Sequence, residues 1–191
     1  MANTAMLKNF ISEMTAIADL GLDEPTLLER AQPLMLRLLS KDEWLPAAFA
    51  ESDERSYRQY LLHCDPRERF SLVSFVWGPG QKAPIHDHTV WGVLGVLRGS
   101  ETSQRYVAEE GAISELGSTE VLEAGAIDLV SPSIGDIHQV WNGSKSKTAV
   151  SIHLYGGNIG TIKRHSFDMS GATKIFTSGY SSNIIPNIWS T

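Results

Sequence analysis

Two periodicities divide the chain. Over the first fifty residues, apolar side chains return every three or four positions. Leu7, Phe10, Ile11, Met14 and Ile17 form one such stripe, the spacing that puts residues on one face of an amphipathic helix. A second helix is predicted from Asp23, a good N-cap with Pro25 in the first turn, and it carries Leu27, Leu28, Met35, Leu36 and Leu39. Pro33 should kink or break that helix, because its ring removes a hydrogen bond and crowds the preceding turn. From about Ser56 the period changes to short alternating or apolar runs punctuated by glycine and proline: SYRQYLLHC, RFSLVSFVW, VWGVLGVLRG, ETSQRYVA, TEVLEAGAIDLV, DIHQVWN, TAVSIHLY and GTIKRHSF. Several short strands at that spacing predict an all-β core, either an antiparallel sandwich or a small barrel. One domain over residues 1–191 is expected, with a helical part at 1–50, a barrel at 56–167 and a tail at 168–191. The closing IIPNIWS should pack across the barrel, since an exposed Ile-Ile-Trp cluster invites aggregation.

Composition narrows the function classes. The chain has 191 residues, 42% hydrophobic and 20% charged, enough for one sizeable core. A net charge of −6 gives no reason to expect nucleic acid or an anionic membrane surface as partner. The opening MANTAMLKNFISEM lacks a basic region followed by an apolar run, which reads as cytoplasmic. Cys64 is the single cysteine, so an intrachain disulfide or a cysteine-rich metal site is excluded. Asn142-Gly143-Ser144 matches a glycosylation acceptor but is discounted without a secretion signal. GPGQK lacks the spacing of a phosphate loop.

The candidate chemistry lies in the histidines. His63 and His165 sit in contexts that favour structural or surface roles. His86 and His88 are two apart, so on a strand both imidazoles face one side while Ile85 and Asp87 face the other. His138 follows a tight turn at Gly135-Asp136 on a later strand, placed to complete a triad of nitrogen ligands. Neutral imidazole suits iron, zinc, copper or nickel, whereas magnesium and calcium want oxygen. In TAVSIHLY, Ser151, His153 and Tyr155 alternate with Val150, Ile152 and Leu154. A hydroxyl, an imidazole and a phenol would thus line up on one face as a hydrogen-bonded relay.

These residues resemble the two cupin motifs. Gly80, His86, His88 and Gly99 fall at the positions of the first motif, and Gly135, His138 and Asn142 at those of the second, with Pro132 offset by one. The resemblance implies a jelly-roll cupin barrel behind the N-terminal helices. At the first motif's glutamate stands Gly92, which leaves the donor set neutral, with open positions for an anionic thiolate and dioxygen. That departure, together with PIHDHT and the Ser151, His153, Tyr155 spacing, is similar to the cysteine dioxygenase branch of the cupins, from about Tyr57 to His165.

Two further positions refine the resemblance. In mammalian-type members a cysteine at the position of Gly92 is cross-linked to the active-site tyrosine, so Tyr155 should be unmodified here. Those members grip the substrate carboxylate with an arginine whose position falls on Gln59, although a one-residue slip would exchange it for Arg58. Alternation keeps the two from both pointing inward. Glutamine there resembles the bacterial 3-mercaptopropionate dioxygenases, in which an arginine beyond the tyrosine pairs with the substrate; Arg164 matches that distance, unless it is a surface residue beside Lys163.

The resemblance therefore implies a non-haem iron thiol dioxygenase. Fe(II) would be held by His86, His88 and His138, with Tyr155, His153 and Ser151 as catalytic relay and Arg164 and Gln59 as substrate contacts. A small thiol and O2 are the expected partners, 3-mercaptopropionate preferred and cysteine possible, and no organic cofactor is implied. The competing readings are a cysteine dioxygenase proper, a zinc- or nickel-dependent cupin isomerase or hydrolase, and a non-catalytic metal-binding cupin sensor.

Overall fold

The computed structural model describes residues 4–109 and 111–189. Two helices open the chain, α1 (Ala5–Asp19) and α2 (Glu24–Leu39). Asp23 caps α2 as its sequence predicts, its side chain accepting the Thr26 N–H at 3.0 Å. The helix continues through Pro33, so the expected break does not occur. One lost hydrogen bond is outweighed by the burial of Leu28, Ala31, Leu34, Met35, Leu38 and Leu39 along its apolar face.

Among the described residues eleven strands follow: β1 (Arg58–Cys64), β2 (Ser71–Trp77), β3 (Ile85–His86), β4 (Gly92–Arg98), β5 (Ser100–Glu109), β6 (Ala112–Glu123), β7 (Ile127–Val130), β8 (His138–Trp141), β9 (Ala149–Tyr155), β10 (Arg164–Phe167) and β11 (Thr173–Phe176). They form a five-stranded sheet in the order β1-β2-β9-β4-β7 and a six-stranded sheet in the order β11-β10-β3-β8-β5-β6. The two sheets stack as an antiparallel β-sandwich. Among the described residues no strand of one sheet pairs with the other, so the all-β core expected from sequence takes the form of two facing sheets with free edges.

The five-stranded sheet is buried on both faces. Leu72, Val76, Val93, Val150, Ile152 and Leu154 share a core cluster with residues of α1 and α2. The alternate positions, among them Val73, Phe75, Trp77, Leu94 and Tyr155, pack in a second cluster with Val140 of the six-stranded sheet. Every residue of β9 is therefore buried, and alternation decides which of them faces the cavity between the sheets.

The end of the chain packs in part, with Tyr180 against the second core cluster and Pro186 buried. Ile184, Ile185 and Trp189 are more than half exposed, and only Ile188 of that stretch packs against the main core. The tail is instead tied to β1 through polar contacts, with Ser181 donating its backbone N–H to the Gln59 carbonyl and receiving the Gln59 N–H on its hydroxyl. Asn142 is buried, its side-chain amide donating to the carbonyls of Trp77, Gly78 and Lys147, which leaves no room for a glycan. Among the described residues no helix is long and apolar enough to cross a membrane.

Candidate metal centre and its cavity

His86 ends β3 and pairs in register with His138, which opens β8. Their rings and that of His88 form a near-equilateral triangle, with centroids 4.9, 4.9 and 4.8 Å apart. One nitrogen from each comes within 4.8 Å of the others. His88 reaches this point differently from the expectation, because β3 stops at His86. The chain turns there, with Thr89 at φ 60, and Asp136 holds the turn. Its carboxylate accepts the backbone N–H groups of His88 and Thr89 and the His88 ring Nδ1–H at 3.0 Å. Asp136 was visible in the sequence only as part of a tight turn; nothing there marks it as the partner of a histidine 48 residues earlier. Burial raises the Asp136 pKa, but the hydrogen bonds and charge of His88 outweigh it and hold the group below its ordinary value.

The ring protons are assigned by these partners. Carbonyl oxygens only accept, so the contact of His86 Nδ1 with the Pro84 carbonyl, 2.9 Å, places a proton on Nδ1 and leaves Nε2 its lone pair. Asp136 does the same for His88. Desolvation first, and neighbouring His88 second, push His86 down to about 3, although the ring is partly open to the cavity. Burial likewise holds His138 well below its usual range. His86 and His138 are thereby held neutral, the form that ligates a metal.

The residues fit a metal ion on two further grounds. His88 Nε2 and His138 Nδ1 are buried without a hydrogen-bond partner, each costing about 1–3 kcal/mol if nothing takes the lone pair. The donor set is all imidazole, which favours a first-row transition metal over magnesium or calcium. His63, against Phe70, and His165, bound to Asp87 at 2.7 Å, lie outside the cluster.

Beside the triangle, Tyr155 stacks on His88 with ring centroids 5.5 Å apart. Its hydroxyl meets His153 Nδ1 at 2.8 Å, and His153 Nε2 meets the Ser151 hydroxyl at 2.8 Å. The alternation read from sequence thus produces a continuous chain, buried throughout. Phe75 stacks on His153 and fixes the ring. Burial, opposed by the charge of Arg164, raises the Tyr155 pKa, so the phenol keeps its proton at neutral pH.

The same cavity is lined by Gln59, His86, His138, Tyr155, Arg164 and Ser178, with Tyr57 and Phe176 at its sides. Arg164 is 3% exposed, so it is no surface residue. Its Nη2 donates to Ser178 at 2.6 Å while its Nε is buried without a partner. Gln59 donates to Ser178 and to the Gly179 carbonyl. Arg58 points to the opposite side and pairs with Asp53, which places Gln59 and not Arg58 on the inward face of β1. Ser178 and Phe176 come from a stretch whose sequence carries no recognisable pattern.

The model of the family described as cysteine dioxygenase type I matches residues 7–169. The chain belongs to this family. Cysteine dioxygenase type 1 of Homo sapiens is 32% identical over 129 residues, 66% of this chain and 62% of that protein. The Danio rerio protein of the same name is 31% identical over 134 residues, 67% of this chain and 64% of that one. The chain thus aligns with less than two thirds of each relative's length. Among solved structures, a Klebsiella pneumoniae protein with a double-stranded β-helix domain superposes with TM-score 0.48 at 17% identity, covering 59% of this chain and 82% of that one. A cupin superfamily protein from Desulfitobacterium hafniense gives TM-score 0.46 at 13% identity, covering 60% and 90%. The family is metal-dependent, and His86, His88 and His138 form the group that can hold the ion.

In this member of the family, Gly92 lies in register with Tyr155. A Cβ there would sit 2.9 Å from Val130 Cγ2 and 3.0 Å from Tyr155 Cδ1. The missing side chain gives the phenol ring its room. Cys64 lies on β1, separated from β9 by β2, so peptide mass spectrometry should find Tyr155 unmodified. Gly92→Ala should cost about 1–3 kcal/mol by overpacking and displace Tyr155, measured as a lower thermal midpoint together with a lower turnover. An unchanged midpoint and turnover would mean that the Tyr155 ring has slack.

Proposed function

We propose that the chain is an Fe(II)-dependent thiol dioxygenase that converts a small carboxylate-bearing thiol and O2 into the sulfinic acid, and that it prefers 3-mercaptopropionate to cysteine. The observation that carries this reading is a three-imidazole cluster with no carboxylate, sharing one cavity with a buried arginine. The reaction balances without a further reductant: two S–O bonds form, the O–O bond breaks, sulfur gives up four electrons and O2 takes four. Iron, when held by His86, His88 and His138, supplies the redox and Lewis-acid chemistry that joins these two reactants.

The protein's own groups do the rest. Arg164, charged and short of a partner at Nε, offers the thiol's carboxylate a charge-assisted hydrogen bond. Gln59 lines the same cavity, at the position where the resemblance to mammalian-type members puts a carboxylate-gripping arginine. Its neutral amide is already committed to Ser178 and Gly179, which favours a substrate that does not rely on a second charged grip. Tyr155, oriented by His153, presents its hydroxyl at the edge of the imidazole triangle, where it can hydrogen-bond the reacting groups. The apolar walls, Tyr57, Phe75 and Trp77, keep bulk water from the sulfur.

Oxygen uptake by iron-loaded protein, with each thiol at equal concentration, tests the reading. It should be fastest with 3-mercaptopropionate, and absence of uptake with every small thiol would reject the enzyme in favour of a binding protein. Tyr155→Phe should lower kcat by about 10- to 100-fold, the worth of one hydrogen bond to a charged group, at unchanged iron content. Wild-type kcat in that variant would remove Tyr155 from the chemistry.

A further inference from the structure

Behind the relay lies a carboxyl group for which the proposed reaction has so far no use. Glu101 on β5 points inward and is 4% exposed. Its polar neighbours are Ser151 and Trp77, which lower its pKa against the effect of burial, while its Oε1 has no partner. Ser103, two residues on, also buries an unpartnered hydroxyl. An isolated ionised carboxylate is costly in such a place, and a neutral one must donate its proton to something. The acceptor within reach is Ser151, whose oxygen already takes the Trp77 Nε1–H at 3.3 Å.

We propose that Glu101 is the inner end of a four-member chain, Glu101–Ser151–His153–Tyr155, and that its single proton sets the direction of every hydrogen bond in it. This positioning role rests on the thiol dioxygenase reading for its use, not for its geometry. With Glu101 protonated, its O–H donates to Ser151, Ser151 donates to His153 Nε2, and His153 Nδ1–H donates to the Tyr155 oxygen. The phenol O–H is then free to donate into the cavity. When the carboxyl ionises, Ser151 turns to donate to Glu101, His153 carries its proton on Nε2, and Tyr155 donates to Nδ1. The phenol then offers the cavity only a lone pair. Four protons become three, the fourth leaving through Tyr155 by successive hops along the chain.

Other charged groups are placed so that they do not replace this control. His153, on the same strand as Ser151, is held neutral well below its usual range by burial, and Tyr155 keeps its proton. On β6, Leu122 is the register partner of Glu101, while Glu120 pairs with Ser103 and Glu123 with Ser100, and both glutamates are exposed. On β8, His138 lies opposite Arg105, which is engaged by Asp128. Desolvation, opposed by the hydrogen bonds of Ser151 and Trp77, raises Glu101 to about 7. Tyr155 is therefore a donor toward the cavity below that pH and an acceptor above it.

Nitrogen NMR of histidine-labelled full-length protein, loaded with diamagnetic zinc, reads the His153 tautomer without any turnover. In the wild type the proton should move from Nδ1 to Nε2 with one midpoint near pH 7, and in Glu101→Gln the tautomer should not change with pH. A pH-independent tautomer in the wild type, or the same midpoint retained in the variant, would overturn the proposal. In the iron-loaded enzyme, the limb of the kcat/KM profile near pH 7 should vanish in Glu101→Gln at unchanged iron content. Protein that shows the tautomer switch but oxidises no thiol would reject the dioxygenase reading alone. Protein that oxidises thiols with a fixed tautomer would reject the role of Glu101 alone.

Discussion

Alanine at His86, His88 or His138 should abolish iron retention and thiol oxidation together. Each contributes one nitrogen to a cluster in which the three ligand atoms lie within 4.8 Å of one another. Two imidazoles cannot enforce that geometry, and the vacated site would admit water. The effect should exceed that of losing an outer partner, for which about 10- to 100-fold in affinity or activity is typical. Asp136→Asn supplies that comparison. It weakens the hold on His88 Nδ1–H and on two backbone N–H groups but leaves the three ligands in place. His63→Ala and His165→Ala should leave metal content unchanged, since neither ring approaches the triangle. Metal analysis alongside oxygen uptake checks the set. Full iron in any one of the three ligand variants would remove that residue from the coordination sphere.

The second large effect concerns substrate choice. Arg164→Lys should raise KM for 3-mercaptopropionate by about tenfold or more, because a point charge replaces a planar fork that can hold a carboxylate through two parallel bonds. Burial makes the loss severe. Arg164 is 3% exposed, so no water restores the missing contact, while Ser178 keeps only the Gln59 amide as donor. Gln59→Arg should move preference toward cysteine by placing a second cation on the inward face of β1. Steady-state kinetics with both thiols, accompanied by thermal unfolding to confirm the fold, measure these shifts. If the wild type prefers cysteine and Arg164→Lys costs nothing, the carboxylate is held elsewhere.

What could be read from the sequence follows from where local rules suffice. Alternation placed Ser151, His153 and Tyr155 on one face of β9, and it put Gln59 on the face opposite Arg58, because strands β1 and β9 are regular there. The His86 and His88 pair was legible for a reason that does not hold. Strand alternation stops at His86, and His88 is brought into line by Asp136 through a turn with Thr89 at positive φ. That partner is 48 residues away, beyond any periodic signal. Glu101 was hidden because ETSQRYVA is marked only as a short strand; the packing of the folded chain buries it. A local rule has Pro33 kink or break its helix, and tertiary burial overrides the break. The tail's apolar close was expected to seek the core, yet Ser181 and Tyr180 hold it by hydrogen bonds, Tyr180 accepting the Gly160 N–H. The choice between a closed barrel and two sheets depends on how edge strands end, which the strand pattern does not specify.

The central claim, that both atoms of one O2 pass to a thiol sulfur held in this cavity, is tested most directly by heavy-oxygen labelling. Iron-loaded protein is incubated with 3-mercaptopropionate under labelled O2 gas in ordinary water, and the product is weighed by mass spectrometry. The predicted result is a sulfinate carrying two labelled oxygens, in amounts equal to the O2 consumed. A disulfide as the main product, or a sulfinate whose oxygen comes from water, would contradict it.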